Sequence, residues 1–468
     1  MSKKYQIGDV FALKMQRINL YVPVQIVRVD EQDASICTAV VLDRFGCGLP
    51  TLNDVKNAKP LRQTHHFWKG EILYICENFC DLGVEFVGNF KAFKDDNKPN
   101  ISETEQIQMQ YEWQQLDAQI QKNFKTAKQH KAILNELQGA EYFQNLTQNS
   151  PFVYEVLSEF FFDELLKYLQ NNHFVTHLQI ISVKNPKLID VSRTNIKDLS
   201  IDVSNVEKLV LNSKINRLVL NGNFSTLKEI YCPFGGKFLD LQLNLSSNEI
   251  CFKGPENVQG LSVFSSQKHS IDTKNIAECL PNVTRVLING QNATLLNVLK
   301  LADFKWLRSL WLFNCYGFCE FVKRDQMPFL QNLLLQGVPK AVGEIAKKEF
   351  GKIGEFSAKQ LRSDEWIKAN LANPFACWDE QDGIPKSIAK KAMNAYKSCH
   401  GALAKASSSD QKCEILSEFL REFNTINKKY DFDTMQCEEI FYAFLELAKT
   451  AGISQSDAES LFENSIDF

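Results

Sequence analysis

Histidine is scarce in this chain, at seven of 468 residues, and no Ser/His/Asp or Cys/His arrangement stands out. The patterns that carry hydrolytic, phosphate or metal chemistry are missing. There is no H-E-x-x-H helix, no G-x-S-x-G elbow and no glycine-rich phosphate loop. Cys76-x3-Cys80 and Cys315-x3-Cys319 lack the two-residue spacing and the second ligand pair of a zinc site. No catalytic residue, cofactor or metal is therefore expected. No run approaches the roughly 18 uncharged apolar residues of a membrane span. Lys3 and Lys4 lead into a polar stretch without the apolar core of a secretory leader, so the expected location is the cytoplasm. With 53 basic against 56 acidic residues, positive charge is too dilute for a phosphate-binding surface, and nucleic acid is not an expected partner.

What is present is material for burial. Hydrophobic residues make up 44% of the chain and Phe alone numbers 34. At this length two to four domains are expected, because a single core stops growing well before that size. The thirteen Cys sit singly, mostly within apolar phrases, and read as reduced, buried thiols.

The predicted architecture is a multidomain α/β chain. Residues 1–93 are β-rich, with runs at Val10–Leu13, Tyr21–Val29, Ile36–Leu42 and Ile72–Cys76, punctuated by Gly, Asp and Pro; a small barrel or bent sheet would bury strands this short. Residues 94–150 read as a helical linker. A polar break is followed by Ser102 as N-cap with Glu105 three residues on, then a helix to about Leu137 whose apolar stripe is Met109, Trp113, Leu116 and Ile120, with Gly139 as its stop. Within 151–340, Pro151 opens an amphipathic helix to about Asn171, a candidate cap for a stack of repeats. Residues 341–468 read as an α-helical piece: 341–372 helical, a break at Asn373-Pro374, then helices from Pro385 to Ala404, Cys413 to Lys428, Thr434 to Thr450 and Gln455 to Asn464.

Between the cap helix and residue 340 one phrase recurs: apolar, two variable positions, apolar, any, apolar. It reads Val206-Glu-Lys-Leu209-Val-Leu211, Ile215-Asn-Arg-Leu218-Val-Leu220, Val258-Gln-Gly-Leu261-Ser-Val263, Val283-Thr-Arg-Val286-Leu-Ile288, Leu307-Arg-Ser-Leu310-Trp-Leu312 and Leu330-Gln-Asn-Leu333-Leu-Leu335, with weaker copies from Val175, Ile196 and Leu227. The second apolar positions Leu178, Leu199, Leu218, Leu239, Leu261, Val286, Leu310 and Leu333 recur every 19 to 25 residues, the interval of a leucine-rich-repeat solenoid. Extra phrases at Leu209 and Ile230 blur the register. The repeat's Asn/Cys position is Asn223 and Cys315 in two copies but Gln291, Ser266 and Val338 elsewhere.

Such repeats grip macromolecules through the side chains that alternate with the buried ones. These positions include Lys208, Val210, Arg217, Glu229, Tyr231, Phe264, Arg285, Leu287, Trp311, Phe313 and Leu334. The candidate protein-binding face is Arg217, Glu229, Tyr231, Phe264, Arg285, Trp311, Phe313 and Leu334, because large apolar groups on an exposed strand surface serve as interface anchors. The competing reading is that the linker helix covers them. His65-His66 beside Phe67-Trp68 reads as packing: neighbours along a strand point to opposite faces and cannot share one ion without a turn. Asp379, Glu380 and Asp382 near Trp378 read as a solvated loop. Residues 431–468 carry nine acids against Lys449 alone, an acidic helical face.

Two segments at opposite ends add a resemblance. Ile7-Gly8-Asp9-Val10-Phe11-Ala12-Leu13, Tyr21-Val22-Pro23-Val24-Gln25-Ile26, Pro50-Thr51-Leu52 and Leu61-Arg62-Gln63-Thr64-His65-His66-Phe67-Trp68-Lys69-Gly70 resemble the N-terminal domain of bacterial polymorphic-toxin immunity proteins. Asn373-Pro374-Phe375-Ala376-Cys377-Trp378-Asp379, leading into Ala- and Lys-rich helices, looks like the C-terminal piece found after leucine-rich repeats in the same group. The resemblance implies a cytoplasmic protein, monomeric when free, that neutralises a cognate toxin by binding and without catalysis. It also implies that His65, His66, Phe67 and Trp68 belong to the N-terminal core. The alternatives are a repeat scaffold for an endogenous protein partner, or an enzyme that reverses a toxin's modification.

Overall fold

A computed structural model describes residues 5–31, 36–79, 83–94, 101–127, 131–134, 142, 153–172, 174–184, 187–246, 250–265, 270–379 and 383–467. Cys80, Gly139, Pro151, Ser266, Glu380 and Asp382 lie outside them. The fold is mixed α/β, with an N-terminal antiparallel sheet, a large parallel sheet and a C-terminal helical region. The chain falls into two compact units, Met1–Ala132 with Ala140–Glu155, and Ile133–Gly139 with Val156–Phe468.

In the first unit, Tyr74–Asn78, Ile36–Val41, Leu20–Val29, Asp9–Met15 and Glu85–Asn89 form a five-stranded sheet in that spatial order. Its pairings are antiparallel. The unbroken apolar runs have a simple cause: both faces are covered. Phe11, Leu13, Val22, Val24 and Ile26 pack on one side with Ile107, while Val10, Val27 and Val40 pack on the other with Val55. Strands buried on both faces lose the apolar–polar alternation.

The linker region departs from expectation. It forms two helices, Glu105–Gln114 and Ala118–Thr126, and then a strand, Lys131–Leu134. Asp117 breaks the long helix by capping a new one, its Oδ1 accepting from the Gln119 and Ile120 amides at 2.7 and 3.4 Å. Ser102 is not a cap. Thr104 holds that position without a side-chain bond, and Ser102 Oγ accepts from Gln63 Nε2 at 2.9 Å. Of the expected stripe only Trp113 is fully buried, and Ile120 is 39% exposed.

The second unit is built on an eleven-stranded sheet among the described residues. Residues 155–160, expected to be helical, form the strand Glu155–Phe160 next to the edge, because burial there follows a period of two through Val156 and Ser158. The helix begins only at Asp163 and runs to Asn171. His177–Ser182, Asp198–Asp202, Arg217–Gly222, Asp240–Leu245, Gly260–Ser265, Arg285–Asn289, Ser309–Phe313, Asn332–Gln336 and Glu355–Lys359 come next, and from Asp198–Asp202 onward each is parallel to the one before. The register stacks Leu178, Leu199, Leu218, Leu241, Leu261, Val286, Leu310 and Leu333 in one row and Ile180, Ile201, Leu220, Leu243, Val263, Ile288, Leu312 and Leu335 in the next, all buried. A wholly buried residue of this type contributes about 1.5–3 kcal/mol. The fourth copy's row position is Leu241; Leu239 precedes its strand.

The blurred register has a structural reason. Leu188–Asp190, Lys208–Val210 and Glu229–Tyr231 form a separate parallel sheet of three strands, so the phrases around Leu209 and Ile230 belong to this second layer. Farther along, the same connecting positions carry the helix Thr273–Cys279 and the 3-10 turn Val298–Asp303. The buried asparagine among the early strands is Asn212, whose Nδ2 donates to the Thr194 and Ile196 carbonyls at 3.2 and 2.9 Å; Asn223 is exposed. Cys315 is fully buried, and burial pushes its thiol up to about 12.

Residues 341–372 are also not wholly helical. After the helix Lys340–Phe350, Gly351 caps it and the strand Glu355–Lys359 places Phe356 opposite Leu333, adding one more copy; the helix Asp364–Asn370 comes after it. The C-terminal helices Lys386–Leu403, Ser409–Tyr430, Thr434–Ala451 and Gln455–Ser465 follow the sequence reading, except that the second starts at Ser409 rather than Cys413, because Ser408 caps it by accepting from the Gln411 amide. Their core gathers on Phe375 and Trp378, whose rings lie 4.9 Å apart, with Phe423 5.1 Å from Phe375. Asn373 fixes the segment: its Nδ2 donates to the Met393 carbonyl at 2.8 Å and its Oδ1 accepts from the Phe375 amide. Asp379 is not a solvated acid, because Arg362 Nη1 pairs with it at 2.7 Å.

Candidate functional site

Because side chains alternate along a strand, the large sheet presents three rows on the face opposite its leucines. The first is His177, Asp198, Arg217, Asp240, Gly260, Arg285, Ser309, Asn332 and Glu355. The second runs Gln179, Ser200, Val219, Gln242, Ser262, Leu287, Trp311, Leu334 and Ser357. The third runs Asp202, Asn221, Asn244, Phe264, Asn289, Phe313, Gln336 and Lys359.

The rows divide by chemistry. Toward the early strands they are polar and wired together. Asn244 Nδ2 donates to Asn221 Oδ1 at 2.6 Å, Asn221 Nδ2 to Ser200 Oγ at 3.2 Å, Gln242 Nε2 to Asn244 Oδ1 at 3.0 Å, and Arg217 Nη2 to Gln242 Oε1 at 3.3 Å. His177 Nε2 lies 2.7 Å from Asp198 Oδ2. Toward the later strands the rows turn apolar, through Phe264, Leu287, Trp311, Phe313 and Leu334. Trp311 is 38% exposed, and the other four are half-buried. A depression of about 320 Å³ opens where the two halves meet, lined among others by Arg217, Asp240, Gln242, Gly260, Arg285, Leu287 and Trp311.

The structure therefore brings together six of the eight candidate residues: Arg217, Phe264, Arg285, Trp311, Phe313 and Leu334. It separates the other two. Glu229 and Tyr231, with Lys208 and Val210, lie on the three-stranded sheet, because their phrase belongs to the second layer. There Lys208 Nζ pairs with Glu229 Oε2 at 2.8 Å and Tyr231 is 55% exposed. Asp240, Gln242 and Gly260 were missed. The signal for the first two was present, since they alternate with Leu239, Leu241 and Leu243, but that copy lacks the full repeat phrase.

The histidine pair is not on a strand. His66 turns into the left-handed region at φ 46°, so the two rings meet, Nδ1 to Nδ1, at 3.2 Å, and the opposite-face argument does not apply. The packing reading holds for His65, which is 1% exposed, and Gln110 Oε1 accepts from the Thr64 and His65 amides at 2.7 and 3.0 Å. His66 stacks against Trp113 and Phe124, with ring centroids 5.4 and 5.3 Å away. Phe67 is 58% exposed and does not belong to a core. Among the described residues no group of three His, Cys, Asp or Glu is placed to hold a metal. No helix of the described residues is long and apolar enough to cross a membrane. Comparison with protein-family models, with curated proteins and with solved structures returned no match.

Proposed function

We propose that this chain is a cytoplasmic immunity protein that neutralises a cognate protein toxin by occluding its active site, with no catalysis of its own. In this reading the parallel strands and their second layer are a degenerate leucine-rich solenoid, and its solvent face is the grip. The observation that carries the reading is the apolar strip of Phe264, Leu287, Trp311, Phe313 and Leu334, which faces solvent on a surface whose alternation would otherwise favour polar residues. The resemblance at the Gly8–Leu13, His65–Trp68 and Asn373–Asp379 segments supplies the toxin as the class of partner. The acidic C-terminal helices complement a basic toxin and speed capture more than they deepen affinity.

The test is binding and inhibition of the product of the neighbouring gene. Trp311→Ala with Phe313→Ala is expected to weaken the complex by about 2–4 kcal/mol while leaving the melting temperature nearly unchanged. Unchanged affinity in the double variant would remove this face from the interface. Protection at well below one molecule per toxin would mean an enzyme instead.

A further inference from the structure

We propose that the depression between Arg217 and Trp311 is a subsite for one carboxylate of the partner protein, an Asp or Glu side chain with an aromatic or branched aliphatic residue two positions later. This rests on the protein-binding reading of the same face and specifies the partner's chemistry.

Three features of the face carry it. Arg217 is held by a neutral partner, Gln242 Oε1 at 3.3 Å, and that amide is itself fixed by Asn244 and Asn221. Among the described residues no carboxylate lies within ion-pair distance of Arg217. A guanidinium positioned by amides offers its remaining N–H fork to a planar anion at little ordering cost.

The second feature is Gly260. Asp240 and Arg285 stand on strands separated by the strand that bears it, roughly 10 Å apart in the sheet at ~4.8 Å per strand. Arg285 Nη2 nevertheless reaches Asp240 Oδ1 at 3.4 Å, because no side chain stands between them. A Cβ on Gly260 would lie 2.5 Å from Asp240 Oδ1 and 3.3 Å from Arg285 Nη2. At 3.4 Å this pair is longer than the ~2.7–2.9 Å of a strong charge-assisted bond. The missing side chain thus lets Arg285 reach across toward the depression that Arg217 also lines. Of the two acids beside these arginines, Asp240 is shared loosely and Asp198 is held by His177 Nε2 at 2.7 Å.

The third feature is the chemistry around the depression. Asp198 and Asp202 lie on the same face, Asp198 beside Arg217, so a polyphosphate backbone, with several charges to place, meets more repulsion than a single carboxylate. Trp311 and Leu287 line the same depression. In an extended segment residues i and i+2 point the same way about 6.6 Å apart, which sets an acid on the arginines and the next same-side residue toward the indole.

The experiment uses the full chain and two probes, N-acetyl-Glu-Ala-Trp-amide and N-acetyl-Gln-Ala-Trp-amide, titrated at millimolar concentration while arginine Nε–Hε and tryptophan indole NMR signals are monitored. The glutamyl peptide is expected to shift Arg217, Arg285 and Trp311 together and to bind about fivefold tighter than the glutaminyl one, with the preference fading as salt rises. The preference is expected to vanish in Arg217→Gln and to weaken in Gly260→Ala, whose fold is checked by the unchanged remainder of the spectrum. Equal binding of the two peptides, lost in Trp311→Ala, would overturn the carboxylate subsite and leave the apolar grip standing. No shift with either peptide, or a preference that survives Arg217→Gln, also overturns it. Loss of the toxin interaction itself is read separately, from the inhibition assay.

Discussion

Gly254 and Gly260 make opposite demands on the same stretch of chain, and substituting alanine at each separates the fold from its surface. At Gly260 the added Cβ meets the mobile end of an exposed carboxylate, Asp240 Oδ1 at 2.5 Å, which can rotate away. The ion pair it gives up, Asp240 with Arg285, is 73% and 62% exposed and contributes about 0–1 kcal/mol. The substitution recovers about 0.4–1 kcal/mol by restricting the unfolded chain. Gly260→Ala is therefore expected to change stability by no more than about 1 kcal/mol in either direction. At Gly254 the backbone stands at φ 119° and a Cβ would fall 1.9 Å from the Ile230 carbonyl oxygen. That carbonyl cannot retreat freely, because the Ile230 amide is tied to Lys253 O at 2.8 Å. Gly254→Ala is expected to cost about 3 kcal/mol or more. Urea unfolding by circular dichroism, with hydrogen exchange of the 240–265 amides, measures both within their own unit. A loss above about 2 kcal/mol for Gly260→Ala, or less than about 1 for Gly254→Ala, would refute the contact reasoning.

Asn212→Ala removes a buried side chain that also accepts from the Lys214 and Ile215 amides, and is expected to cost about 2–3 kcal/mol, against under about 1 for the exposed Asn223→Ala, by the same unfolding assay. Arg362→Met, Asp379→Asn and their double variant are expected to show a coupling of about 1–3 kcal/mol, since Arg362 is nearly buried and lies 4.0 Å over the Trp366 ring; strict additivity would mean that the pair is idle. Burial raises the Cys232, Cys315 and Cys399 thiols to about 12 from the ordinary 9.0, so the folded chain holds these protons more tightly than the unfolded one. The stability they confer is full below pH 9 and is lost progressively as pH rises from 9 toward 12, which alkaline unfolding midpoints of Cys→Ala variants would measure. At neutral pH a thiol reagent is expected to modify Cys47, Cys251 and Cys319, which are exposed, well before Cys315.

Much of the scaffold could be read from periodicity. The C-terminal helices were legible from the break at Asn373-Pro374, from Pro385 at the head of the first helix and from an apolar period near that of a helix, whereas the caps Ser408 and Asp433 were not read. The strand rows came from the six-residue phrase. Where reading failed, two periods competed. Residues 155–160 and 355–359 are too short for their alternation to outweigh helical neighbours, and only pairing across the sheet decides them. Residues 206–211 and 227–232 carry the same phrase as the main rows, and nothing within the phrase distinguishes the sheet each strand joins. The face was legible at Trp311 and Phe313, whose phrase is complete. It was not legible at Gly260, where the informative fact is a missing side chain, or at Asp240, whose partner Arg285 sits far along the chain.

The period of two that builds the sheet also separates inheritance from innovation. Leu199, Leu218 and Leu241 must stay apolar to keep the fold, whereas Ser200, Val219 and Gln242, one residue away in each strand, touch little of the core. A lineage pressed to track a changing partner can rewrite those outward letters one at a time, with each substitution costing specificity before it costs foldedness. In the proposed binding role, the surface most exposed to selection is thus the one whose mutation the architecture tolerates best.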